Sequence, residues 1–237
     1  MSFAGDFCPK GACDGSGWLL DEADEARPCE CREIRVSRAK GRRTGTGIPK
    51  RFQGVSFDRN PVRELDPVVL REVRVFIDRI DERIESGEGA WFQGDVGTGK
   101  TSLAMLISKA AIEAGHSVAI YSVPRLLADI KETFEERTAS SYSDLFRRLS
   151  EVDLLHLDDL GAERRTEWVL EQLYSIVNER WQSERSILVT SNLTSLDELR
   201  EQVGTRTVSR LAEICGDPLH VMGRDLRFAR STSTSVS

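Results

Sequence analysis

Apolar residues recur at helical spacing through Val69, Val73, Phe76, Ile77, Ile80 and Ile84, which predicts one helix ending near Gly87. The run AWFQG that follows reads as a short strand running into glycines. Leu103, Leu106, Ile107, Ala110, Ala111 and Ala114 form a second helical stripe, stopped at Gly115. SVAIYS is the next strand, and helical segments follow around 124–137 and 142–150. VDLLHLDD is a nearly continuous apolar run, as expected of a strand covered on both faces. Thr166 is placed to cap a helix running to about Gln182. SILVTSN is a further strand, and short helices lead to a last one near LHVMG. Strands alternating with helices predict a doubly wound α/β fold with a parallel sheet.

That pattern occupies 52–230, and the rest of the 237 residues is of another kind. Residues 1–31 are acidic and glycine-rich and hold Cys8, Cys13, Cys29 and Cys31, four of the five cysteines. Over 32–51 eight Lys and Arg residues face only Glu33, and the Gly- and Thr-rich stretch KGRRTGTGIP reads as a basic linker. Residues 231–237, STSTSVS, have the composition of a disordered tail. The net charge of −6 argues against coating nucleic acid through bulk charge and leaves room for a local basic strip. No apolar run approaches a membrane span, and the N-terminus lacks a signal-peptide core, so the expected location is cytoplasmic with no membrane partner. There, clustered thiols point to metal rather than disulfides.

Gly94, Asp95, Val96, Gly97, Thr98, Gly99, Lys100 and Thr101 spell GDVGTGKT, a full match to G-x-x-x-x-G-K-[ST], and Ser102 follows. The motif stands after a predicted strand and opens a predicted helix, as phosphate binding requires. Glycines let backbone N–H groups wrap the phosphates, and the helix N-terminus adds partial positive charge. Lys100 reaches the β- and γ-phosphates, and the Thr101 hydroxyl is the expected Mg²⁺ ligand. In P-loop NTPases the other metal-side group is an aspartate ending a neighbouring buried strand. Asp158 fits that place, and Asp159 is then the group that polarises the attacking water. A cation and bound water would offset the repulsion between the two carboxylates. His156, inside the same strand, reads as a packed core histidine rather than a catalytic group.

GDVGTGKT, LLHLDDLGAE, TSN and RTVSRL, in this order, resemble the AAA+ ATPases and, within them, the DnaC/IstB group of bacterial helicase loaders and transposition helpers. IPKRFQGVSF looks like the lead-in of that group, and the resemblance covers roughly 48–228. It implies that Asn192 is the sensor-1 residue, able to orient water between Asp159 and the γ-phosphate. It implies that Arg210 is an arginine finger completing a neighbour's site, with Arg206 as competing candidate, and that Arg227 is sensor 2. Many AAA+ proteins carry Glu where this chain has Asp159, and the shorter arm implies slow hydrolysis. Ten residues follow Arg227, too few for a helical lid domain, which suits the DnaC/IstB group.

Cys8, Cys13, Cys29 and Cys31 offer a C-x4-C and a C-x-C pair, matching a tetrahedral structural Zn²⁺ site; free reduced thiols are the alternative. A closed four-thiolate site would serve to dock a partner. Between the second and third strands of the predicted sheet, Arg125, Lys131, Arg137, Arg147 and Arg148 occupy the region that contacts single-stranded DNA in related initiators. Glu132, Glu135 and Glu136 are interleaved there, as on a solvated helix face. The expectation is an ATPase using ATP and Mg²⁺, slow and stimulated by DNA or a partner. It would assemble as a homo-oligomer and load a replicative helicase onto single-stranded DNA. An IstB-type transposition helper working with a transposase, and an ATP-gated adaptor with little hydrolysis, are the alternatives. A transposition helper would more often begin with a helical region, so the cysteines favour the loader.

Overall fold

A computed structural model describes Cys8 and residues 11–20, 25–29, 31–32, 47–135 and 139–226. Near the N-terminus, β1 (Trp18–Leu20) pairs antiparallel with β2 (Ala26–Pro28). Then come α1 (Pro67–Asp78), α2 (Ile80–Glu85), β3 (Ala90–Gln93), α3 (Lys100–Ala114), β4 (Val118–Ser122), α4 (Val123–Glu135) and α5 (Ala139–Glu151). β5 (Leu154–Leu160), α6 (Glu167–Gln182), β6 (Ser186–Ser191), α7 (Leu196–Val203), α8 (Thr205–Cys215) and β7 (Leu219–His220) complete the order.

β3 to β7 form one parallel sheet in the order β4-β5-β6-β3-β7. The chain leaves β3 for the far edge at β4, steps back through β5 and β6, then passes β3 to reach β7. Where strand order reverses like this, a crevice opens at the carboxyl ends of the strands. Successive strand residues point to opposite faces, so both faces are apolar. Phe92, Ile120, Leu154 and Leu188 pack with α1, α2 and α3, whereas Trp91, Tyr121, Leu155, Leu157 and Val189 pack with α4 to α8. The predicted doubly wound architecture is therefore the one observed.

One expectation is corrected. The stripe from Val69 to Ile84 is two helices, not one. Asp66 caps the first by accepting from Val68 N, and Pro67 opens it. Arg79, at φ −117° and ψ 30°, leaves helical geometry, and its guanidinium binds Glu82 in the first turn of α2 at 2.8 and 2.6 Å. Val73, Phe76, Ile80 and Ile84 still enter one core. Periodicity reports the buried face, so a break that preserves the face leaves no trace in it.

The tail 231–237, Arg227 and Arg137 lie outside the described residues, as does the basic linker apart from Arg32 and 47–51. Among the described residues no helix is long and apolar enough to cross a membrane.

Candidate functional site

The GDVGTGKT segment is the turn between β3 and α3, and α3 begins at Lys100. Gly97 and Gly99 take φ of 80° and 103°, a region that costs a side chain strain. A Cβ on Gly97 would also run into the Asp225 carboxylate, because Leu226 N donates to Gly97 O at 3.0 Å and lays the C-terminal segment on the loop. Lys100 is buried, and its Nζ donates to Asp95 O at 2.6 Å; Thr98 Oγ1 donates to the same carbonyl at 2.9 Å. Thr98 and Ser102 are buried, whereas Asp95 and Val96 face solvent.

β5 brings the two aspartates to this loop through an irregularity. Its pairing with β6 shifts between Leu157 and Leu160, and Asp159 sits at φ 59°. Regular alternation would turn Asp159 toward the core that receives Leu157. The bulge returns Leu160 to that core and leaves Asp159 at the crevice, which is how bulges re-aim side chains at sites. Asp residues tolerate this left-handed conformation better than most.

Asp158 Oδ1 accepts from Thr101 Oγ1 at 3.0 Å and from Thr190 Oγ1 at 2.7 Å, and His156 Nε2 lies 3.8 Å away. Burial works to raise the Asp158 carboxyl. His156 and the hydroxyls of Thr190 and Thr101 outweigh it and hold the carboxyl below its ordinary value. Asp159 is fixed differently. Its N–H donates to Thr190 Oγ1 at 2.9 Å, and its Oδ1 accepts from Asn192 Nδ2 at 3.0 Å. Thr101, Asp158, Asp159 and Asn192 are thus brought together from three elements.

Thr101, Asp159 and Asn192 border a cavity of about 410 Å³ lined also by Lys100, Gly97, Gly99, Leu226 and residues of the 51–61 segment, and Asp158 is hydrogen-bonded to Thr101. The donor set fits Mg²⁺. Adjacent ligands of an octahedral Mg²⁺ stand roughly 3.0 Å apart at bond lengths near 2.1 Å, and the Thr101 and Asp158 oxygens are 3.0 Å apart. Sequence reasoning missed Arg59, Asn60 and Thr190. Thr190 carried a usable signal, standing on β6 two residues before Asn192, which follows the end of that strand. Arg59 and Asn60 carried none, since only the packing of the lead-in against α3 brings them to the cavity.

The candidate fingers differ in their surroundings. Arg210 lies with its guanidinium 3.5 Å from the Trp181 ring centre and donates to Glu213 Oε1 at 2.8 Å, while Trp181 Nε1 holds the other Glu213 oxygen at 2.8 Å. Arg206, one turn earlier on α8, is exposed and has no side-chain partner among the described residues. Of the candidate DNA-facing residues, Arg125, Lys131 and Arg148 are exposed, and Arg147 is paired with Asp144 at 2.6 Å.

The four N-terminal cysteines gather around β1 and β2 with every sulfur within 4.8 Å of the others. Cys8 and Cys29 sulfurs are 3.9 Å apart and those of Cys13 and Cys31 3.4 Å, too long for disulfides. Zn–S bonds of about 2.3 Å in a tetrahedron require sulfurs roughly 3.8 Å apart, so the set fits zinc. Burial, then the neighbouring thiols, push the Cys31 thiol up to about 12. Such crowding is relieved when a cation replaces the protons.

Comparison with known proteins agrees with this geometry. Residues 51–211 match the family described as IstB-like ATP binding protein. The replicative helicase loader DnaC of Escherichia coli is 29% identical over 181 residues, 76% of this chain and 72% of that protein. A crystal structure of the DnaC helicase loader superposes with a TM-score of 0.63 at 25% identity, covering 73% of this chain and all of that one. The replication initiator DnaA bound to AMPPCP and single-stranded DNA shares the fold, with a TM-score of 0.62 at 20% identity over 76% of this chain and 52% of that one. With the family match spanning most of the ATPase core, the chain belongs to the IstB-like ATP-binding proteins.

Proposed function

We propose that this protein hydrolyses ATP to help load a replicative DNA helicase onto single-stranded DNA. The observation that carries the ATPase reading is the convergence of Thr101, Asp158, Asp159 and Asn192 beside the phosphate loop. In this reading loop N–H groups and Lys100 bind the β- and γ-phosphates. Thr101 and Asp158 hold Mg²⁺, which screens the phosphate charge when bound. Asp159, held by Asn192, draws the proton of the attacking water. Arg210 or Arg206 of a neighbouring subunit supplies the cation that a loose phosphoryl-transfer transition state requires. The helicase as partner rests on the helicase loaders that match three quarters of this chain, and the four-cysteine module, holding zinc, is the docking element.

The test combines the purified protein with the replicative helicase of the same cell and closed circular single-stranded DNA. The expected result is helicase placed on the circles only when this protein and ATP are both present, with turnover stimulated by the DNA. Stable association with a transposase and no effect on the helicase would instead favour a transposition helper. ATP-dependent loading at undetectable turnover would favour a gated adaptor.

A further inference from the structure

His156 is fully buried, yet among the described residues only one of its ring nitrogens has a hydrogen-bond partner. Nδ1 lies 2.9 Å from Ser108 Oγ on α3, two turns beyond Thr101 on the same helix. Nε2 makes no hydrogen bond and lies 3.8 Å from Asp158 Oδ1. Its strand neighbours Leu154, Leu155 and Leu157 are wholly apolar, and a leucine at 156 would fill the core without an unpaired nitrogen. A buried polar atom left unmatched calls for a reason.

The ring's orientation supplies one. Residues 156 and 158 point to the same face of β5, which makes the imidazole and the carboxylate neighbours, with Nε2 3.8 Å from Oδ1. A bare Nε2 lone pair facing an anionic oxygen in a dry interior would be repelled, so the proton belongs on Nε2. Nδ1 then accepts from the Ser108 hydroxyl, which fixes the tautomer through the group on the far side of the ring. Carboxylates that bind cations are themselves held by such outer partners, and losing one typically costs about 10- to 100-fold in metal affinity.

We propose that His156, anchored on Ser108, is a positioning residue that directs its Nε2–H at Asp158 and fixes how that carboxylate faces Thr101. This rests on the ATP-site reading above. It also ties the sheet to the phosphate-loop helix, because Ser108 and Thr101 lie on one helix and His156 and Asp158 on one strand.

Two measurements test it. In the nucleotide-free protein, ring ¹⁵N shifts of His156 report the tautomer directly; Nε2–H is expected, and Nδ1–H overturns the proposal. The second is the Mg²⁺ dependence of binding N-methylanthraniloyl-ATP. His156→Phe should raise the half-saturating Mg²⁺ concentration about 10- to 100-fold and leave binding in EDTA unchanged. His156→Gln, whose amide nitrogen reaches the Nε2 position, should stay within about threefold of wild type. Ser108→Ala should shift the midpoint the same way by less, and it decides the matter if His156→Phe does not fold. Identical midpoints for wild type, the folded position-156 variants and Ser108→Ala sink the proposal. A wild-type protein that binds no nucleotide sinks the ATP-site reading instead, and the ¹⁵N result still judges the tautomer.

Discussion

Asp158 and Asp159 are adjacent in sequence and differently held, so their substitutions should fail differently. Asp158 faces Thr101, and Asp158→Asn should weaken Mg²⁺-dependent nucleotide binding. Asp159 is tied to Asn192, and Asp159→Asn should keep affinity within about threefold while turnover falls by roughly 10²- to 10⁴-fold. Equal loss of binding in both variants would mean the pair is assigned the wrong way round. Lys100→Ala should weaken binding roughly 10- to 100-fold, the size of a lost charged hydrogen bond. Asp158 also predicts a pH effect. Its native pKa is depressed, so its contribution to the stability of the metal-free protein is complete above the unfolded value of 3.8 and disappears as pH falls through the native value. Denaturant midpoints against pH should therefore fall less steeply below about 4 in Asp158→Asn. An unchanged slope would mean that its neighbours do not hold the carboxyl down.

Between elements, the junction of α5, β5 and β6 depends on a buried charge. Arg180 is fully buried on α6 and donates to the carbonyls of Leu149 at 2.6 Å, Asp153 at 3.1 Å and Ser186 at 2.6 Å. Burial pulls its pKa down to about 9, which leaves it charged at neutral pH. Arg180→Leu keeps the apolar volume and orphans those carbonyls, so urea unfolding should show a loss on the order of 3 kcal/mol or more. A loss under about 1 kcal/mol would mean that water takes over the carbonyls. The residue was hidden in plain sight. Helical spacing puts it on the face of Leu173, Ile176 and Val177, but an arginine ordinarily reads as a solvated edge.

For the whole molecule, the two cores around the sheet contain, among the described residues, none before Ile48, so the cysteine module and the ATPase domain should fail independently. Elemental analysis should find about one zinc per chain. Cys29→Ser together with Cys31→Ser should release it and unfold β1 and β2 while thermal melting of the ATPase domain is preserved; absence of zinc after chelator-free, reducing purification would end that reading. Assembly can be probed by mixing. Arg210→Ala keeps its phosphate loop and acids, and Asp159→Asn keeps its finger. In a head-to-tail assembly roughly a quarter of the interfaces of an equal mixture regain one complete site. Two inactive proteins should then recover part of the turnover, because a finger in trans is worth on the order of 10³-fold. Co-assembly without recovery would transfer the role to Arg206, which lacks the Trp181 and Glu213 contacts that hold Arg210.

The sequence by itself determined the alternation of strands and helices, the phosphate loop and the aspartates that end β5. Each of these is local, written in periodicity or in a spacing that backbone geometry demands. It also determined the grouping of four thiols, because cysteines so concentrated in one short segment point to a shared ligand. What the tertiary structure alone decided needed neighbours distant in the chain. The break at Arg79 preserves the buried face and so leaves the pattern unchanged. The bulge at Asp159 depends on the partner strand β6 and on Thr190, which receives its N–H. His156 read as core because burial was all its apolar run could announce. Its second property, a ring nitrogen turned toward Asp158 and another held by Ser108, exists only once α3 lies against β5.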